Sequence, residues 1–136
     1  MEEYLMAING QSVKGVHNFD VINPATEEII ATVPECSDEQ LDTAVNAANH
    51  ALTAWAQDVS KRRQALNNCA EVLLSNIDSL AKLITKEQGK PLRDSNGEIR
   101  RSAELIKEFA ILEFPIELLQ DDETRRVELH RKPLGV

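Results

Sequence analysis

Two spacings divide the chain. Up to residue 36 the apolar residues come in short runs broken by turn formers, "YLMAING" and then "FDVINPATEEIIATV". From Ser37 to Phe114 they recur every three or four residues. The first pattern predicts strands and the second predicts amphipathic helices. Asn9-Gly10 is a hairpin signal, since a tight two-residue turn needs positive φ at both centres and these residues tolerate it. Asn23-Pro24 with Ala25-Thr26 marks a second turn between strand-like runs, so residues 1–36 are expected to form antiparallel strands and turns.

Ser37 opens the helical part. With Gln40 three residues on it makes a capping box, and Asp38 and Glu39 fall at the positive end of the helix dipole. Leu41, Val45, Ala48, Leu52 and Trp55 then share one face, which is expected to bury against something. Ser60 is expected to cap the next helix, whose stripe is Leu66, Cys69, Leu73, Ile77, Leu80 and Ile84. Asn76 and Asp78 leave open a restart, so this stretch is one helix or two with a bend. On that stripe Cys69 reads as a small buried hydrophobe, because a reactive thiolate wants exposure and a neighbouring base or positive charge.

"TKEQGKPL", residues 85–92, places Gly-Lys after helix. A phosphate-gripping loop needs a preceding strand, an earlier glycine and a hydroxyl after the lysine. Here helix precedes and Pro91 holds the hydroxyl position, so the spacing predicts a junction: Gly89 just past a helix C-terminus and Pro91 in the first turn of the next helix. That third helical region carries Ile99, Ala103, Ile106 and Phe109 or Ala110 on one face. It is expected to end near Phe114-Pro115, since proline restricts the residue before it and lacks an N–H. Residues 115–136 read as a polar loop, "LQDDETRR", leading to an extended "VELHRKPLGV". His130 there is expected to point outward from the strand, having no second ligand at metal spacing. The run is still apolar at Val136, and the expectation is that the sheet neighbour of this strand lies outside the chain.

Composition narrows the partners. The chain has 136 residues, 42% hydrophobic and 28% charged, a balance typical of folded soluble domains. A formal charge of -8 argues against nucleic acid, which draws its binding from Lys and Arg on phosphates; the clusters at Lys61 to Arg63, Arg100-Arg101 and Arg125 to Lys132 sit among acids. Cys36 and Cys69 form no ligand pattern and suit a reduced, cytoplasmic setting. No apolar run approaches the roughly twenty residues of a membrane span, and the start, "MEEYLMAING", is acidic where a signal peptide is basic.

Taken in order, "FDVINPATEEIIATVPECS", the capped helix with "ALTAWA", "LITKEQGKPL" followed by "GEI", and "RKPLGV" resemble the N-terminal part of the NAD(P)-dependent aldehyde dehydrogenase superfamily. The "EQGKPL…GEI" wording is similar to the succinate-semialdehyde dehydrogenase branch, and many branches share it. One position departs: where many members have glycine after Asn-Pro-Ala-Thr, this chain has Glu27, a strained choice if the turn needs positive φ there.

The resemblance implies an α/β architecture, the Rossmann-like cofactor domain of that family, with residues 1–136 as its N-terminal portion: strands and turns (1–36), three or four amphipathic helices (37–114), then loop and the start of a sheet strand (115–136). In the family, a nucleophilic cysteine attacks the aldehyde, hydride passes to nicotinamide, and an oxyanion hole and a general-base glutamate complete the oxidation to a carboxylic acid. None of those groups matches a residue here, so no catalytic and no cofactor-binding residue is carried over. Glu87 aligns with an acidic position that contributes to a monovalent-cation site in some members, beside its plain reading as a solvated helix end. Arg101, Ser102 and Leu105 lie on the helix that forms part of the family's substrate tunnel, beside ordinary surface or packing roles. The full-length enzyme is expected to take a small aldehyde with NAD or NADP and to form a homo-oligomer, without nucleic acid or membrane. This chain alone is expected to be inactive, to bind no dinucleotide tightly, and to expose apolar helix faces. A self-sufficient helical interaction module is the competing expectation, since bundles show the same period; pairing with a separately encoded remainder is a third.

Overall fold

The computed structural model describes residues 4–136; the acidic Glu2 and Glu3 lie outside them. Three antiparallel ribbons flank a helical body. Strands β1 (Met6–Ile8) and β2 (Gln11–Val13) form the first, and β3 (His17–Ile22) and β4 (Ile29–Glu35) the second. Helices α1 (Asp38–Gln57), α2 (Val59–Ser75), α3 (Ile77–Gln88) and α4 (Leu92–Ile111) follow. The chain then forms the ribbon of β5 (Glu117–Asp121) and β6 (Arg126–Leu129).

Turn chemistry sets the N-terminal ribbons as expected. Asn9 and Gly10 have φ of 52° and 72°, the doubly positive pair of a tight hairpin turn. Asn23 to Glu28 close the second: Asn23 Oδ1 accepts from Ala25 N at 2.9 Å, and Glu27 N donates to Asn23 O at 2.8 Å. Glu27 sits at φ 59°, so the position that many family members give to glycine does need a left-handed residue. Gly15 is required for a different reason. A Cβ there would lie 2.5 Å from Glu35 O, because the link into β3 runs against the end of β4.

The Ser37–Gln40 box is formed in both directions, at 3.2 and 3.0 Å, and Gln40 Nε2 also reaches Lys14 O at 2.8 Å, tying α1 to the first ribbons. The cap of α2 differs from expectation. Asp58, not Ser60, accepts from Lys61 N at 2.8 Å: the helix begins one residue before Ser60, which places that hydroxyl in its first turn. Arg62 folds back onto the carbonyls of Trp55 and Ala56, satisfying acceptors that the end of α1 leaves open. At Asn76 the helix does restart, and its side chain turns back to Val72 O at 2.8 Å instead of capping α3.

Packing is densest between α2 and α4, then between α3 and α4. The buried apolar residues are Ile8, Ala31, Ala70, Ala81, Ile99, Ala103 and Ala110. Five of the seven are alanines, so the helices approach closely but sequester little area. Cys69 is exposed, against the expectation of a buried thiol. The line of α2 that meets the body runs through Leu66, Ala70, Leu73 and Leu74, and Cys69 falls to one side of it. On α4 the inner line is Ser95, Ile99, Ala103 and Ala110, and Phe109 turns outward. The stripe of α1 is not buried within the chain: Leu41 is 56% exposed, Val45 46% and Trp55 42%.

Residues 115–136 depart most. Part of the expected polar loop is strand β5, paired with β6 with a register shift between Leu118 and Gln120. The extended run expected to Val136 is paired only to Leu129. His130 therefore lies past the strand end, with Nε2 2.9 Å from Glu128 Oε2.

Candidate functional site

The α3–α4 junction carries the motif that the sequence singles out. Gly89, at φ 71°, is the left-handed cap of α3, its N–H bonded to Thr85 O at 2.9 Å. Pro91 is the N-cap of α4, one position earlier than expected, because its carbonyl already accepts from Asp94 N and Ser95 N at 2.9 and 3.0 Å. Two polar contacts that sequence reasoning missed close the junction. Ser95 is fully buried, its Oγ 3.1 Å from Thr85 Oγ1 and 3.3 Å from Pro91 O. The signal for it was available, since stepping back four residues along the stripe from Ile99 lands on Ser95. Lys90 Nζ meets Glu98 Oε2. That hydrogen bond, then the lysine charge and lastly the Arg101 charge hold the Glu98 carboxyl below the usual range, opposed by burial.

The same junction touches the N-terminal turn. A Cβ on Gly89 would stand 3.1 Å from Pro24 Cγ, so "NPAT" and "EQGKP" meet in space.

This geometry does not suit a dinucleotide phosphate. The Gly89 amide is spent on the helix cap and the lysine on Glu98, whereas an anion cradle needs convergent free amides and an available cation. Among the described residues no group of three or more His, Cys, Asp or Glu is placed to hold a metal ion. Glu87 lies exposed in the last turn of α3. Arg101, Ser102 and Leu105 are exposed on α4, on consecutive turns, with Leu105 52% exposed; Arg101 Nη1 lies 3.3 Å from where a Gly97 Cβ would be. Cys36 is exposed with Sγ 3.4 Å from Ser37 O. Nothing here assembles a nucleophile with a base. No helix among the described residues is long and apolar enough to cross a membrane.

The order of ribbon, capped helix, Gly-Lys-Pro junction and terminal hairpin recurs in known proteins. The signature described as the aldehyde dehydrogenase family matches residues 11–136. The chain belongs to the aldehyde dehydrogenase family. It is 44% identical over 109 residues to the glutarate-semialdehyde dehydrogenase of Pseudomonas putida, covering 79% of this chain and 22% of that protein. With the NADP(+) succinate-semialdehyde dehydrogenase of Escherichia coli the identity is 38% over 109 residues, covering 79% and 21%. Among solved aldehyde dehydrogenase family structures, an NADP-dependent enzyme of E. coli superimposes with a TM-score of 0.81 at 30% identity, over 93% of this chain and 27% of that one. Betaine aldehyde dehydrogenase of Staphylococcus aureus, solved with NAD+, gives 0.81 at 26% identity over 90% and 26%. This aldehyde dehydrogenase chain thus spans about a quarter or less of the length of these relatives, with an α/β fold made of four helices and short antiparallel strand pairs.

Proposed function

We propose that residues 1–136 are the N-terminal portion of the cofactor domain of an NAD(P)-dependent enzyme that oxidises an aldehyde to a carboxylic acid. A short-chain semialdehyde is the substrate class we favour. The observation that carries this reading is the 44% identity to a glutarate-semialdehyde dehydrogenase over four fifths of the chain, beside 38% to a succinate-semialdehyde dehydrogenase. The chain itself contributes scaffold and no chemistry, because its two thiols stand apart from any assembled base and its Gly-Lys turn is closed by its own contacts. Dinucleotide, NAD or NADP, is held by the remainder of the enzyme, and this part binds it only weakly. Glu87 contributes to a monovalent-cation site in the whole enzyme, and Arg101, Ser102 and Leu105 line the substrate path, which their exposure on α4 permits. The whole enzyme is a cytoplasmic homo-oligomer, with neither nucleic acid nor membrane as partner.

The test is reconstitution. The chain alone is expected to form no NADH or NADPH with succinate or glutarate semialdehyde. Co-expression with a polypeptide carrying the rest of the family sequence is expected to restore semialdehyde-dependent reduction of one of the two. Turnover by the isolated chain would overturn the scaffold assignment. Failure of every co-expressed remainder, together with a stably folded monomer, would favour the helical interaction module.

A further inference from the structure

A cleft of about 890 Å³ opens where the end of α1, the start of α2, the end of α4 and residues 131–135 converge. Its size lies within the range of small-molecule sites, roughly 300–1,000 Å³. Trp55, Phe109, Leu112 and Phe114 supply apolar walls, and all four remain substantially exposed. Its charge runs opposite to that of the chain. In a molecule of net charge -8, four cations line the cleft, Arg62, Arg63, Arg131 and Lys132, against the single acid Glu113.

Two of the cations are occupied. Arg62 is held by the carbonyls that end α1, and Arg131 by Glu117. The other two are available. Arg63 reaches Glu113 only at 3.3 Å, and its Nε is buried without an acceptor. Lys132 enters no ion pair among the described residues. A cleft with low-dielectric walls and one sign of charge focuses its field on a counter-ion. A cation beside an aromatic wall suits a ligand with an anionic head and an apolar body.

From this complementarity we infer that the cleft binds a small anionic amphiphile, a carboxylate carrying a medium-length hydrocarbon chain, with Arg63 and Lys132 receiving the head group. This site is separate from the Gly-Lys-Pro junction and independent of the dehydrogenase reading. Its position supplies a reporter, because Trp55 is the chain's one tryptophan.

The experiment is a titration of the 136-residue chain, diluted until it sediments as a monomer, with decanoate below its micellar concentration. Decanol and decyltrimethylammonium serve as matched probes, and Trp55 emission is the readout. The expected result is a saturable blue shift with decanoate at one equivalent, at least tenfold weaker with either of the others. Lys132→Gln, an exposed change that leaves the packing alone, is expected to weaken decanoate about fivefold, and Arg63→Gln by more. Equal responses to all three head groups would overturn the assignment, as would affinity unchanged in Lys132→Gln. So would a Trp55 shift that follows protein concentration with no amphiphile added, which would make a second copy the occupant.

Discussion

Glu27 shows how one residue can be locally wrong and still be carried by its surroundings. Its φ of 59° puts an L side chain in the left-handed region, at a cost of roughly 1–2 kcal/mol, against a smaller loss when glycine is ordered there. The turn persists because Asn23 grips it twice, through its side chain to Ala25 and its carbonyl to Glu27. Glu27→Gly is therefore expected to stabilise the fold by about 0.5–1 kcal/mol, read as a higher urea midpoint at unchanged slope. A lower midpoint would mean that the glutamate side chain contributes something other than strain. The strain was legible from the residue order alone, because Asn-Pro-Ala-Thr fixes which position must turn left-handed.

Among the elements, the terminal hairpin was the least legible. Its tip is organised by Asp122, whose Oδ1 accepts from Thr124 N at 2.8 Å, from the Thr124 hydroxyl and from Arg125 N at 3.2 Å, while Gln120 reaches Oδ2. The Thr124 hydroxyl first, then Gln120 and the Thr124 amide, hold this carboxyl well below the ordinary range. A depressed folded-state pKa means that the turn's support is fully present above the unfolded value of about 3.9. It is lost only as pH falls toward the folded value. A carbon NMR titration is expected to place the Asp122 midpoint below that of an unfolded peptide of the same sequence; equal midpoints would show the tip to be unheld. The strand before this tip escaped sequence reading because alternation arises when one face is buried, and β5 buries neither face, only Gln120 being half-covered. By contrast the caps of α1 and α3 were plain in Ser37, Gln40 and Gly89, since capping depends on local backbone geometry. Which side of α2 faces inward was not, because Cys69 and Ala70 are neighbours and the choice rests on how closely α4 approaches.

For the whole molecule, area is the telling quantity. A folded monomer of 15.2 kDa is expected to expose about 7,100 Å², and this chain exposes 10672 Å². The surplus of roughly 3,500 Å² exceeds the ~800 Å² that one partner contributes to a standard interface. Much of it is apolar, along α1 and around the end of α4. The isolated chain is thus expected to self-associate and bind hydrophobic dyes. Its charge of -8 opposes this at low ionic strength and is screened at high, so sedimentation should show larger species as salt rises. A monodisperse monomer at both salt extremes, silent to dye, would contradict it.

The glycine at position 89 bears on how this body holds together. Because that residue has no methyl group, a proline ring sixty-five positions earlier nests against the bend between two helices. Local tightening of the bend and docking of the amino-terminal ribbon thereby become one event, coupling segments that ordinary chain neighbours would leave free to order separately.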